Sequence, residues 1–363
     1  MTTTKPLPLN DNKKILRKLC IPVSSTIKEA IQNLNRSSHK IVCIIDKQKK
    51  LLGIINDGDI RRGLLKGYTL KDKVDKILQK KPLVVLPSMK YDAVLTIMQE
   101  RKILQIPIVD NKNKICGIHL WSSHDKEDRS TNTVIVMAGG RGSRMGSFTE
   151  ACPKPLLLIA GKPILERIIE NARESGFQKF IFTVHYLAEK IKNRFGNGSN
   201  LGVKIAYLTE KTPLGTAGAL SLLSPKPQSP FIVLNGDVLS DINLREILKF
   251  HESQRAEATM AVRLHEIKNP FGVVNLNGLN IQSFEEKPLY KNHVNAGIYV
   301  LNPSVLSFLR RGAYCDMPEL FMRLKKQNRK IIAYPMHEPW FDIGKPEDLK
   351  LSHKKIKKLA NEY

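Results

Sequence analysis

Apolar positions in the first third of the chain change period twice, and the change is repeated. Around Glu29-Ala30-Ile31 they recur at i, i+3 and i+4, the mark of an amphipathic helix. They then close up into two nearly continuous runs, IVCIID and LLGII, with a charged turn between them. The same succession follows from Asp92-Ala93-Val94 into IPIVD and KICGIHLW. The helical segments match 63 residues apart, while Asp46 with Asp110 and Gly53 with Gly117 match 64 apart. Two copies of one helix-strand-strand unit are therefore predicted, at about 14–70 and 78–125 within a first domain of 1–125.

A polar stretch without periodicity, SSHDKEDRSTNT, then suggests an exposed linker at 126–132. Beyond it, apolar runs such as TVIVMAGG, KFIFTVHY, KIAYLTE and FIVLNGD alternate with helical patterns such as PILERIIENARESG. Alternation of this kind predicts an α/β domain over 133–363, a Rossmann-like, mostly parallel sheet covered by helices on both faces.

Composition narrows the picture only slightly. The 363 residues, 42% hydrophobic, are enough for two or three cores. No apolar run reaches the roughly 18 residues that cross a bilayer, and the polar beginning leads into no apolar leader, so a cytoplasmic location is expected. Five widely spaced cysteines form no CxxC pair, which argues against disulfides and structural zinc. A net charge of +25 attracts any polyanion but is mostly scattered lysine, with short clusters such as Lys354-Lys355-Ile356-Lys357-Lys358. Nucleic-acid binding carried by this charge alone would collapse as salt is raised.

The chemistry begins at VIVMAGGRGSRMG, where a strand runs into a loop holding Ala138, Gly139, Gly140 and Gly142 together with Arg141 and Arg144. Glycines let backbone N–H groups converge on phosphate oxygens, and the arginines add charge-assisted bonds. The pattern is neither the dinucleotide fingerprint nor the P-loop. With Pro153-Lys154-Pro155 shortly downstream, it resembles the sugar-1-phosphate nucleotidylyltransferase family.

The resemblance implies that Arg144 and Lys154 hold the triphosphate. It also places Glu210, Gly215, Thr216, Ala217 and Gly218 of LTEKTPLGTAGAL against the base, with Glu210 a reader of guanine N1 and N2 or, more plainly, a cap on the following turn facing water. Gly236 and Asp237 end FIVLNGD, and Asp342 lies in WFDIGKPEDL; the two acids would hold Mg²⁺. The acceptor sugar phosphate falls to Gly272 in FGVV, Glu286 and Lys287 in FEEKP, and Asn295 and Gly297 in VNAGIYV. The implied architecture is the GT-A-like nucleotidyltransferase fold. No general base is required, because a phosphate oxygen is already anionic at neutral pH.

The two N-terminal copies resemble a tandem CBS pair, the module that usually binds adenine or guanine nucleotides between its halves. GIINDGDIRRGL carries the likeness, placing Asn56 and Asp59 at the ribose-contacting positions, whereas the second copy has Leu120 and Ser123 there. The order of parts, the PLGTAG segment and the lack of hexapeptide repeats after residue 350 resemble bacterial guanylyltransferases that activate glucosamine 1-phosphate for legionaminic acid synthesis. Mannose-1-phosphate guanylyltransferases and glucose-1-phosphate thymidylyl- or uridylyltransferases share the motifs, and a catalytically silent nucleotide sensor is a further alternative. A homo-oligomer, dimer or larger, is expected from the habit of CBS pairs.

Overall fold

The computed structural model describes residues 15–37, 40–101, 103–120, 130–349 and 351–353. The chain divides into two compact units, Met1–Lys126 and Glu127–Tyr363. None of the described helices is long and apolar enough to cross a membrane.

In the first unit, β1 (Cys20–Pro22) lies parallel to β2 (Ile41–Ile45), which pairs antiparallel with β3 (Leu51–Asn56). A helix over Ile27–Ser37 buries Ala30, Ile31 and Leu34, and a second helix over Asp57–Leu65 follows β3. The second copy has a helix over Tyr91–Arg101 and the antiparallel pair β4 (Gln105–Val109) and β5 (Ile115–Leu120).

Helix and strands of the second copy begin and end 64 residues after those of the first, so the helical match at 63 is off by one. Burial is the reason: a shift of 64 superposes Ala30 on Val94 and Leu34 on Met98, all buried, whereas 63 would set Ala30 on the exposed Ala93. The charged turns are also equivalent. Asp46 accepts the N–H groups of Gln48 and Lys50, each at 2.8 Å, as Asp110 accepts those of Lys112 at 2.9 Å and Lys114 at 2.8 Å. The two turns then bond to each other, Leu51 N–H to Asn113 O at 2.9 Å and Ile115 N–H to Lys49 O at 3.1 Å.

The second unit is built on a seven-stranded sheet. In chain order its strands are β6 (Ser130–Met137), β9 (Phe177–Val184), β10 (Lys204–Thr209), β11 (Phe231–Asn235), β13 (Ala258–Lys268), β16 (Leu289–Leu301) and β17 (Ile331–Met336). Between them lie β7 (Leu158–Ile159), β8 (Lys162–Pro163), β12 (Val238–Ser240), β14 (Val273–Asn277), β15 (Asn280–Glu285) and, last, β18 (Trp340–Asp342). The sheet order is β10-β9-β6-β11-β16-β13-β17. All neighbours are parallel except β16, which is antiparallel to both β11 and β13.

Alternate residues of β6 enter different cores: Val134 and Val136 pack with the helices at Ile164–Glu174 and Leu244–Ser253, Ile135 with the helix at Met317–Lys326. Such double burial explains why the strands read as continuous apolar runs. β6 starts at Ser130, inside the stretch expected to be linker. Its polar residues are satisfied there: Ser130 N–H donates to Gly176 O at 2.9 Å, and the Asn132 amide to Pro230 O at 2.7 Å. Residues 121–129, with Ser123, and the basic segment 354–358 lie outside the described residues.

Candidate active site

An open cleft of about 370 Å³ lies where the carboxyl ends of parallel β6, β9 and β11 meet their following loops. That is the place where open α/β sheets bind ligands. β6 delivers Ala138, Gly139 and Gly140 to its wall, and the loop continues to Arg144. Gly142 has φ of +65°, a left-handed turn that folds the loop back into the short helix at Ser143–Thr149. The Thr149 hydroxyl pins this turn by donating to Gly142 O at 3.0 Å.

β11 runs out into Gly236 and Asp237, both on the cleft. Gly236 must be glycine, because a Cβ there would sit 2.5 Å from Met137 O on the neighbouring strand. Across the cleft, Lys154 is only 7% exposed, and its ammonium lies 2.6 Å from Asp237 Oδ2. β12 pairs with β18 so that Val238 faces Asp342, and Ile343 N–H bonds Asp237 O at 3.0 Å. The two acids thereby share one corner. Burial, and then repulsion from Asp237, pushes the Asp342 carboxyl above the ordinary carboxylate range, while Lys154 and Arg144 pull it back. The corner is completed at Gly344, where a Cβ would lie 3.9 Å from both Arg144 Nη1 and Asp342 Oδ1.

The other half of the cleft holds Glu210, Gly215 and Thr216. Glu210 Oε2 accepts the Leu214 N–H at 3.0 Å, so it does cap the turn, yet it is only 6% exposed and lines the cleft instead of facing water. Burial raises its pKa against the opposing effects of the Leu214 N–H, His185 and Thr183. Thr216 is held by Asp316, whose Oδ1 accepts its N–H at 3.0 Å and its hydroxyl at 3.2 Å, and the same hydroxyl accepts Met317 N–H at 2.8 Å. Ala217 and Gly218 are buried behind the wall, donating their N–H groups to Cys315 O, and so do not reach the cleft.

The acceptor residues stand elsewhere. Gly272, Glu286 and Lys287 come together at the base of the antiparallel hairpin β14-β15, where a Cβ on Gly272 would lie 3.1 Å from Glu286 Oε2. Lys287 is 3.5 Å from Glu286 Oε1, and both are exposed, outside the cleft wall. One face of the hairpin is apolar and uncovered, with Val274 opposite Phe284, the latter 72% exposed. Asn295 and Gly297 also do not line the cleft: the Asn295 side chain donates to Tyr299 Oη at 2.7 Å and accepts Gly297 N–H at 3.0 Å, which makes it part of the backbone's support.

In the first unit, Asp59 forms a capping box with Asn56, each side chain accepting the other's N–H at 2.9 Å, and its second oxygen is bonded to Arg62 at 2.5 Å. Each oxygen thus already accepts one bond at the helix start and keeps a further lone pair, and Asp59 lines a separate pocket of the first unit.

Among the cleft residues that the motif reading did not single out are Asn235 and Tyr314, with Asp316 behind Tyr314. Asn235 could have been noticed as the strand-end neighbour of Asp237; the other two lie far along the chain and offered no signal.

A sequence profile described as Nucleotidyl transferase matches residues 133–358. The chain belongs to the nucleotidyl transferase family. The CBS domain profile matches residues 12–66 and 74–118 of the same chain. This nucleotidyl transferase is 36% identical over 224 residues to a mannose-1-phosphate guanylyltransferase catalytic subunit beta of Drosophila pseudoobscura pseudoobscura, covering 59% of this chain and 60% of that one. It is 33% identical over 236 residues to a UTP–glucose-1-phosphate uridylyltransferase of Synechocystis, covering 59% and 61%. The chain thus spans about 60% of the length of the curated relatives it matches. A Bacillus anthracis structure described as a glucose-1-phosphate thymidylyltransferase superposes with a TM-score of 0.51 at 22% identity, over 61% of this chain and 94% of that one, a likeness of fold.

Proposed function

We propose that this nucleotidyl transferase moves a nucleoside monophosphate from a nucleoside triphosphate to a sugar 1-phosphate, releasing pyrophosphate. The observation that carries the reading is the cleft itself: a glycine loop with Arg144 meets the buried Lys154 and the paired acids Asp237 and Asp342 at the carboxyl end of the sheet. In the reaction, an anionic sugar-phosphate oxygen attacks the α-phosphorus, and the bond to the β-phosphate bridge breaks with its electrons leaving on pyrophosphate. No proton has to be moved. Fixed cations and loop N–H groups stabilise the charge that builds on the equatorial oxygens and the leaving group.

The two acids fit Mg²⁺, an ion that takes one or two carboxylates beside substrate phosphates. Burial first, and then the neighbouring Asp237, raises the Asp342 carboxyl, and a cation held between the two acids would favour its ionised form. Bound there, the ion would neutralise phosphate oxygens. Lys154 then serves both states, holding Asp237 in the free protein and turning part of its charge to the triphosphate when one is bound.

The base is guanine in this reading. Glu210 keeps Oε1 on the cleft side, beside Gly139, and an ionised carboxylate accepts from guanine N1 and N2 together. We read the sugar as glucosamine 1-phosphate, supported by the combined order of CBS pair and PLGTAG segment, and the product as a precursor for nonulosonic acid synthesis in the cytoplasm. The identity with mannose-1-phosphate guanylyltransferases favours mannose 1-phosphate as the second reading. In this reading the acceptor contacts come from Gly272, Glu286 and Lys287 at the base of the β14-β15 hairpin. A nucleotide at the CBS pair and assembly into a dimer or larger oligomer belong to the same proposal.

Mass spectrometry of products formed from GTP with glucosamine, N-acetylglucosamine, glucose and mannose 1-phosphates tests it. A GDP-hexosamine is expected. GDP-mannose as the main product would install the second reading, and equal use of UTP or dTTP would remove Glu210 as the guanine reader.

A further inference from the structure

Tyr314 stands on the nucleotide half of the cleft without any part in the reading above. Its hydroxyl donates to Asp316 Oδ2 at 2.7 Å, while Asp316 Oδ1 holds the Thr216 N–H and hydroxyl. Next to it, Cys315 N–H donates to Leu214 O at 3.0 Å, and Cys315 O accepts from Ala217 and Gly218. One carboxylate therefore locks an aromatic ring to the turn that carries Gly215 and Thr216, and the backbone repeats the lock. The ring is nonetheless 59% exposed and forms part of the cleft wall. An aromatic side chain that packs into a core hides its face; one held by its hydroxyl with its body open to a cleft is a prepared apolar surface.

We propose that Tyr314 is a nucleoside-binding residue, its ring providing the wall against which the base of the bound triphosphate packs. The inference rests on the nucleotidyl transfer reading. Stacking is tolerant of base identity because every base has a π-face. Tyr314 thus adds affinity for any nucleoside triphosphate, whereas Glu210 discriminates among them. Asp316 acts as a positioning residue through Tyr314 and Thr216.

The test is calorimetric titration of the full chain with GTP and, separately, with inorganic tripolyphosphate, which has the phosphates and no base. Tyr314→Ala is expected to weaken GTP about tenfold, the scale of one lost stacking contact, and to leave tripolyphosphate unchanged. Tyr314→Phe keeps the ring and should stay within about threefold of the unaltered protein. GTP binding unchanged in Tyr314→Ala would overturn the inference, as would equal losses of GTP and tripolyphosphate. Absence of GTP binding by the unaltered chain, with tripolyphosphate still bound, would remove the nucleotide reading and this inference with it.

Discussion

Lys154 and Asp237 lie 83 positions apart in sequence and 2.6 Å apart in the cleft, and each has two duties. Motif spacing marks both as substrate-facing, but their mutual ion pair is a product of the fold and invisible in the sequence. The pair changes what a substitution does. Asp237→Asn is expected to lower turnover by about 10²–10³-fold with little change in melting temperature, the scale of losing one preorganised electrostatic contact. Asp237→Ala additionally strands a buried ammonium, at a cost of up to about 3 kcal/mol. Full turnover in Asp237→Asn would remove this acid from the site.

Glu210 makes a pH prediction with a definite sign. Burial, the main cause, raises its folded pKa, so ionising it opposes folding, and the stability contributed by its protonated form is lost as pH rises from the ordinary carboxylate pKa through the raised one. Guanine recognition runs the other way, because only the ionised form accepts twice. The KM for GTP should rise as pH falls through that elevated pKa, at a higher pH than an ordinary glutamate would give, and Glu210→Gln should flatten the profile. A profile unchanged by Glu210→Gln would contradict the assignment.

Elements were more legible than contacts. Repeat and alternation give the double helix-strand-strand unit and the parallel half of the sheet, because strands buried on both faces cannot hide their apolar runs. The offset of 64 in the helix needed the structure, since letter identity at 63 outweighed burial that a sequence does not display. The acceptor motifs gave no element in sequence; FGVV and FEEKP turn out to flank the β14-β15 hairpin, whose place depends on β13 and β16 running on past their pairing with β17 and β11. Lys287→Ala should therefore raise the KM for the sugar phosphate about tenfold or more while leaving the KM for the triphosphate and the melting temperature unaltered, because an exposed side chain carries little packing. Equal effects on both substrates would place Lys287 elsewhere. On the nucleotide turn, Thr216→Val deletes a hydroxyl that both donates to Asp316 and accepts from Met317. A stability loss of about 1–2 kcal/mol is expected in urea titration.

At the scale of the whole molecule, two units of different design share one chain, and the net charge of +25 belongs to neither function in particular. If the charge is chiefly a solvated lysine surface, retention of nucleic acid should fall by orders of magnitude between 50 and 200 mM salt, while turnover changes far less. The central claim concerns the cleft. Pyrophosphate release by the full chain, with Mg²⁺, a nucleoside triphosphate and a sugar 1-phosphate, measures it directly. Release that requires both substrates and falls about 10²–10³-fold in Asp237→Asn is the predicted result; no release with any pairing, from folded protein that still binds nucleotide, would contradict the account.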